Sequence, residues 1–104
     1  MTTPTPVTML VSYHPKAGRE AELQHLVEQH YPTLAGLGLV TDMKARVWKA
    51  QSKESDRPFF VELFQWRDAD ASGIAHQTPE VMAVWETMGP VLEKLELVEL
   101  QALL

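Results

Sequence analysis

Four histidines and one acidic residue within an apolar run are the side chains of this sequence best suited to proton chemistry. His30 falls on an apolar stripe that Leu23, Val27 and Leu34 form at three- and four-residue spacing. An imidazole on such a stripe indicates one of two roles. It is either a hydrogen-bonded core residue or a base at the wall of a pocket, since imidazole titrates close to neutral pH.

His76 stands just before a break between two predicted helical segments. Thr78 followed by Pro79 is typical of the cap and first turn of a new helix, so the preceding segment is expected to end here. Helix breaks often border pockets. His76 is therefore interpreted as a second catalytic candidate, or else as a surface histidine that bonds the frayed helix end, whereas His25 lies on the polar side of its helix and is expected to be solvated.

The spacing of these residues argues against a dedicated metal or cofactor site. No two histidines lie three or four positions apart, and the chain has no cysteine. Phosphate loops and dinucleotide-binding glycine motifs are also missing from the sequence. We therefore expect neither a metal nor a cofactor.

Glu62 is the one acidic residue in the apolar run FFVELF. A bare carboxylate in such surroundings is costly, so it must be paired, hydrated or protonated. The favoured interpretation is an ion pair at a dimer interface with Arg46 or Lys44 of the neighbouring strand. The alternative is a pocket acid whose pKa is raised by its apolar surroundings.

Aromatic residues are numerous enough to line a pocket for a flat molecule. Tyr13, Trp66 and Trp85, together with Val11 and Met82, are the expected pocket residues beside Glu62. The alternative is that these side chains belong only to the hydrophobic core.

The elements that must position these residues follow from hydrophobic periodicity. Strands are predicted over residues 7–14, 43–51, 58–66 and 95–103, and helices over 19–34, 69–77 and from 78 onward. The order β-α-β-β-α-β, with a hairpin in the middle, predicts an α+β ferredoxin-like fold. Its four-stranded antiparallel sheet would carry both helices on one face.

Both faces of that sheet are substantially apolar in the predicted strands. Two helices can cover only one face, and each large side chain left in water forgoes about 1.5–3 kcal/mol of burial. A second copy of the chain is the expected cover, which predicts a homodimer. The alternative is a monomer with a partly exposed apolar sheet.

Composition bounds the remaining possibilities. The 104 residues predict a single domain, with residues 1–6 as a flexible lead-in. A net charge of -5 with scattered basic residues predicts no nucleic-acid partner. The start lacks signal-peptide features and no apolar run could span a bilayer, so we expect no membrane association and a cytoplasmic protein.

Three segments, VSYHPKAGREAEL, FFVELFQWRDADA and AHQTPEVMAVWETM, resemble the antibiotic biosynthesis monooxygenase-like domains of the dimeric α/β-barrel superfamily. That resemblance implies a dimeric barrel and a pocket for a small apolar or aromatic molecule. Heme-degrading members use an Asn, a Trp and a His at positions that correspond to Val11, Ala75 and Trp85. None of the three matches, so heme degradation is disfavoured.

The resemblance favours a cofactor-independent monooxygenase-like function. A phenolic or quinol-type molecule would lie against Trp66 and Trp85, and His30 or His76 would remove its proton. Two alternatives remain open. One is a non-catalytic or stress-related dimer that binds a small molecule, and the other is a lactone-isomerase-like enzyme that uses Glu62 or a histidine without dioxygen.

Overall fold

The computed structural model describes residues 5–104 and contains four strands and three α-helices. The elements are β1 (Val7–Pro15), α1 (Glu20–Gly36), β2 (Arg46–Gln51), β3 (Pro58–Trp66), α2 (Ala71–Ala75), α3 (Pro79–Met88) and β4 (Leu92–Leu100), with a 3-10 turn at Gly89–Val91 before β4. Residues 1–4 of the predicted lead-in lie outside the described residues. The predicted element order is confirmed.

The four strands form one antiparallel sheet in the order β2-β3-β1-β4. On the central strand β1, Val11 lies opposite Glu62 of β3 and Leu97 of β4. Directly opposite residues point to the same side of a sheet, so these three side chains share one face. This ferredoxin-like sheet is the α+β fold that the sequence predicts.

The face that contains Glu62, called the inner face below, packs against α1 and α3. Its buried residues alternate along β1 and β3, at Val11 and Tyr13 and at Phe60, Glu62, Phe64 and Trp66. The opposite face, called the outer face, carries Leu10, Val61, Leu63, Val98 and Leu100, all of them partly or largely exposed. The core therefore lies between the inner face and the helices.

Helix α1 continues through Pro32 to Gly36, two residues beyond the predicted end. Pro32 lies on the exposed side of the helix, where it removes one backbone donor without displacing the buried stripe. Gly38 follows the helix with a φ of 69°, a left-handed conformation that suits glycine.

Two strands differ from their predicted bounds. β2 begins at Arg46 and not at residue 43, because the preceding segment is tied to α1 by the Tyr31 hydroxyl, which donates to the Met43 carbonyl at 3.2 Å. β4 begins at Leu92, directly after the 3-10 turn, and ends at Leu100 and not at residue 103. No helix within residues 5–104 is long and apolar enough to cross a membrane.

Candidate active site

A cavity of about 250 Å³ lies between the inner face of the sheet and the helices. Aromatic side chains form one part of its wall: Phe64, Trp66 and Trp85. Aliphatic and thioether side chains form another part: Met9, Val11, Met88, Leu92, Leu95 and Leu97. The polar lining residues are Tyr13, His30, Ser72 and His76.

The cavity opens toward β4. Leu95 and Leu97 line it and are 47% and 63% exposed, respectively. His30 also lines the cavity, but its side chain is only 4% exposed. A molecule that enters past β4 would therefore meet His30 at the deep end.

His30 is positioned by α1 and held by a buried carboxylate on β3. Its Nδ1–H donates to Glu62 Oε1 at 2.8 Å, and Glu62 itself is fully buried at 0% exposure. Phe64 packs edge-on against the imidazole with ring centroids 5.6 Å apart, and Trp85 packs on it at 6.0 Å. These contacts fix the orientation of the ring, and the proton is assigned to Nδ1 because an ionised carboxylate can only accept.

Tyr13 completes this buried network. Its hydroxyl donates to the same Glu62 oxygen at 2.7 Å. Burial, and next the neighbouring Glu62 carboxylate, raise the pKa of Tyr13 far above its ordinary range. The phenol therefore stays protonated and acts as a permanent donor to Glu62.

Two atoms of the network are unsatisfied. Within residues 5–104, neither His30 Nε2 nor Glu62 Oε2 has a hydrogen-bond partner, and both are inaccessible to solvent. Buried polar atoms without partners are rare in proteins, and they often mark sites for ligands or ordered water. His30 belongs to the cavity wall and Glu62 does not, and Nε2 is the ring nitrogen that Glu62 leaves without a bond.

His76 follows α2 and lines the cavity nearer to solvent. Its ring packs on Trp85 with centroids 4.7 Å apart, on an indole that also contacts His30. The structure thus brings both candidate histidines to one cavity, with Trp85 beside each. His76 itself is exposed, whereas His30 is buried.

The other predicted pocket residues divide into two groups. Tyr13, Trp66, Trp85 and Val11 lie on the cavity wall. Met82 lies off the wall, because the inner side of α3 carries Val81, Trp85 and Met88 at four- and three-residue spacing.

Glu62 stands behind His30 and is not paired with Arg46 or Lys44, so the predicted interface ion pair is wrong. Arg46 lies opposite Leu63 on the outer face, and its guanidinium packs over Trp48 at 4.9 Å. Lys44 precedes β2 and is exposed. The partners of Glu62 come instead from β1 and α1.

Several lining residues are not among those predicted from the sequence: Met9, Phe64, Ser72, Met88, Leu92, Leu95 and Leu97. The alternation of side chains along a strand could have indicated Met9 and Phe64, which share a face with Val11 and Trp66. The leucines of β4 depended on strand pairing, which periodicity alone does not reveal.

A buried carboxylate that accepts from imidazole Nδ1–H is the usual way to present Nε2 as a proton acceptor. After proton transfer the imidazolium would face the Glu62 carboxylate, which stabilises the charge. The site can therefore remove a proton from a weakly acidic group in an apolar cavity. Residues 5–104 contain no cluster of three His, Asp or Glu side chains that could hold a metal ion.

Comparison with solved structures identifies the class of fold. The chain resembles SnoaB, a cofactor-independent oxygenase from Streptomyces nogalater, with a TM-score of 0.66 and 18% identity over 93% of this chain and 92% of SnoaB. It also resembles PA3566 from Pseudomonas aeruginosa, with a TM-score of 0.75 and 15% identity over 100% of both chains.

A further similar structure is a dimeric protein of unknown function and ferredoxin-like fold from Bacteroides fragilis. It has a TM-score of 0.71 and 12% identity over 93% of this chain and 96% of that one. No protein-family model matches the chain, and neither does any curated protein. The chain thus shares the ferredoxin-like fold of these structures, and at these identities the likeness concerns the fold alone.

Proposed function

We propose that this protein is a cofactor-independent monooxygenase that acts on a small phenolic or quinol-type molecule. The observation that carries the proposal is the state of His30. Its Nδ1 is held by the fully buried Glu62, and its Nε2 has no partner within residues 5–104, at the deep end of an apolar cavity. The fold shared with SnoaB, described as a cofactor-independent oxygenase, is compatible with this proposal.

The proposed reaction begins with proton transfer. The substrate lies against Trp85 and Trp66, and its hydroxyl donates to His30 Nε2. Nε2 takes the proton as general base, and Glu62 stabilises the resulting imidazolium. The apolar walls keep water from competing for the substrate anion.

The anion then reacts directly with dioxygen. It gives one electron to dioxygen, and the substrate radical and superoxide combine to form a peroxide at a ring carbon that carries hydrogen. Loss of water from the protonated peroxide leaves a carbonyl at that carbon. One oxygen atom enters the product and the other leaves as water, so the aromatic substrate itself supplies all the electrons.

Oxygen uptake tests this proposal. With a panel of phenols and quinols, the wild-type protein should accelerate oxygen consumption for at least one compound, and His30→Ala should abolish that acceleration. His25→Ala is the matched control, because His25 lies on the same helix, exposed, and bonds only Gln29 among the described residues. Unchanged turnover in His30→Ala would remove His30 from the mechanism. Tight binding without oxygen uptake would favour a binding protein instead.

We also propose that the protein is a homodimer joined through the outer face. Its apolar residues Leu10, Val61, Leu63 and Val98 lie side by side on β1, β3 and β4. Burial of these side chains against a second copy would recover about 1.5–3 kcal/mol for each one that is fully covered. The dimeric description of the similar Bacteroides fragilis protein supports this arrangement.

A further inference from the structure

The cavity has an unusual balance of charge. In the part of the chain that the structure describes, no Lys or Arg lines it. Among the described residues, the acidic side chain bonded to lining residues is that of Glu62, which contacts His30 Nδ1 at 2.8 Å. With Glu62 ionised, the pair carries a net charge of −1 when the imidazole is neutral and zero when it is protonated. In neither state does the deep end present net positive charge.

Tyr13 does not alter this balance. Its hydroxyl donates to Glu62 and lies in the same buried network. The other polar lining groups are the Ser72 hydroxyl and the exposed imidazole of His76, which packs on Trp85 nearer to solvent. A negatively charged group at the deep end would therefore be desolvated with no net positive charge to compensate it, because Glu62 already balances a protonated His30.

The volume of the cavity sets a second constraint. An apolar cavity of about 150 Å³ accommodates benzene, whereas drug-sized ligands occupy roughly 300–1,000 Å³. The observed cavity of about 250 Å³ falls between these values. It suits an aromatic compound of one or two fused rings.

We propose that the cavity selects an uncharged aromatic compound of one or two rings that carries a hydroxyl group, and that Glu62 acts as a specificity-determining residue by excluding carboxylates. The choice of a hydroxyl compound rests on the proposed function, in which His30 Nε2 accepts the hydroxyl proton. The exclusion of anions rests on charge and burial, and it is measurable in the absence of turnover.

Glu62 would discriminate through its buried charge. A ligand carboxylate that replaces the hydroxyl near Nε2 would lie across the imidazole from the Glu62 carboxylate, so that two negative charges share one ring in surroundings of low dielectric constant. A neutral hydroxyl instead donates one hydrogen bond to Nε2 and satisfies an atom that has no partner within residues 5–104.

The test compares 1-naphthol with 1-naphthoate, which share a ring system and differ in charge at neutral pH. Their dissociation constants are measured by calorimetry under anaerobic conditions, so that no turnover interferes. We expect 1-naphthol to bind wild-type protein at least about tenfold more tightly, because an unpaired buried charge costs more than the 1.4 kcal/mol of that ratio. Equal binding of both ligands, or tighter binding of 1-naphthoate, would overturn the proposal.

Glu62→Gln keeps the shape of the side chain and removes its charge. In this variant the preference for 1-naphthol should fall by roughly tenfold, mainly through tighter binding of 1-naphthoate. Glu86→Gln is the matched control, since Glu86 is exposed on α3 and its replacement changes the net charge equally. An unchanged preference in a folded Glu62→Gln protein would show that Glu62 does not set the selectivity. If that variant fails to fold, the wild-type ratio still decides the exclusion of anions.

The size limit is tested with 1-hydroxypyrene, which carries the hydroxyl on four fused rings. We expect it to bind at least about tenfold more weakly than 1-naphthol, because its outer rings would remain in water beyond the cavity. Tighter binding of the four-ring phenol would refute the size limit. Absence of oxygen uptake together with the expected selectivity would contradict the oxygenase proposal and leave the ligand class intact.

Discussion

Glu62 Oε1 accepts two buried hydrogen bonds, from Tyr13 at 2.7 Å and from His30 at 2.8 Å. Burial of a carboxylate in the middle of an apolar strand costs desolvation free energy, and a hydrophobic residue at the same position would not have that cost. What the carboxylate provides is an imidazole of fixed orientation whose second nitrogen has no partner within residues 5–104. At the scale of single residues, the network therefore fits the proposed proton transfer to His30 better than a role in stability alone.

Removal of the Tyr13 hydroxyl should weaken the fold. In Tyr13→Phe the Glu62 oxygen loses one of its two donors, so the free energy of unfolding should fall by about 1–3 kcal/mol. Urea denaturation at neutral pH measures the change. Tyr31→Phe is the control, because its hydroxyl is only partly buried and donates to backbone carbonyls at 3.2 and 3.5 Å. An equal loss in both variants would contradict a special role for the Glu62 network.

The buried phenol of Tyr13 should also make the stability of the fold depend on pH in the alkaline range. The pKa of Tyr13 is raised in the folded protein above its ordinary value of 10.0, so above that pH the unfolded chain loses a proton that the folded chain keeps. Stability from Tyr13 is complete below pH 10.0 and should decline by about 1.4 kcal/mol per pH unit above it.

Comparison of wild type with Tyr13→Phe between pH 9 and 12 isolates this contribution. The variant lacks the decline that Tyr13 causes, whereas Tyr31→Phe retains Tyr13 and should retain the decline. Parallel pH profiles for wild type and Tyr13→Phe would contradict the burial of the phenol beside Glu62.

Sequence reasoning could recognise that Glu62 and His30 were unusual, but it could not show that they contact each other. Each residue stood out because a polar group occupied an apolar face, which follows from period alone. Their contact joins positions 32 apart in the chain and depends on how α1 lies across β3. Arg46 seemed a suitable partner because it lies on the adjacent strand, yet the hairpin register places it opposite Leu63.

At the scale of secondary structure, the helix that carries His30 contains a proline two residues further on. Pro32 lies within α1, and the helix continues for four residues to Gly36. The bounds of β3 were predictable because the apolar run from Pro58 to Trp66 lies between the polar segment SKESDR and the charged segment RDAD. Those of β4 were not, because its charged residues follow no regular alternation and apolar residues continue beyond Leu100 at Ala102 and Leu103.

Replacement of Pro32 should stabilise the protein. Pro32→Ala restores a backbone donor and removes a steric clash within the helix, and both changes stabilise the fold. The substitution also increases the conformational entropy of the unfolded chain, which opposes part of that gain. The expected net effect is an increase of about 2 kcal/mol in the free energy of unfolding. Thermal and urea denaturation measure it, with Gln29→Ala as an exposed control on the same helix. A lower stability for Pro32→Ala would show that the proline shapes α1 in a way that packing requires.

At the scale of the whole molecule, the sheet divides the chain into a filled inner side and an apolar outer side. The inner side holds the cavity and the network, and the outer side carries aliphatic residues such as Val61 and Leu63 in partly exposed positions. This division is the basis for the proposed dimer, and it followed from the apolar character of both faces in the sequence.

Native mass spectrometry tests the dimer. At micromolar concentration the protein should have twice the chain mass of 11.7 kDa. Leu63→Lys places a charge in the outer face and should give monomers, whereas Glu86→Lys on the exposed side of α3 should leave the dimer intact. A monomeric wild-type protein would contradict the proposed cover of the outer face.

The central claim is that the cavity orients an aromatic hydroxyl toward His30 Nε2. A crystal structure of the protein with 1-naphthol under anaerobic conditions tests it most directly. We predict that the ligand lies against Trp85, with its oxygen about 2.6–3.2 Å from Nε2 and with the bond from Nδ1 to Glu62 retained. A ligand whose hydroxyl points to the mouth near His76, or an empty cavity with the ligand bound on the outer face, would contradict the account.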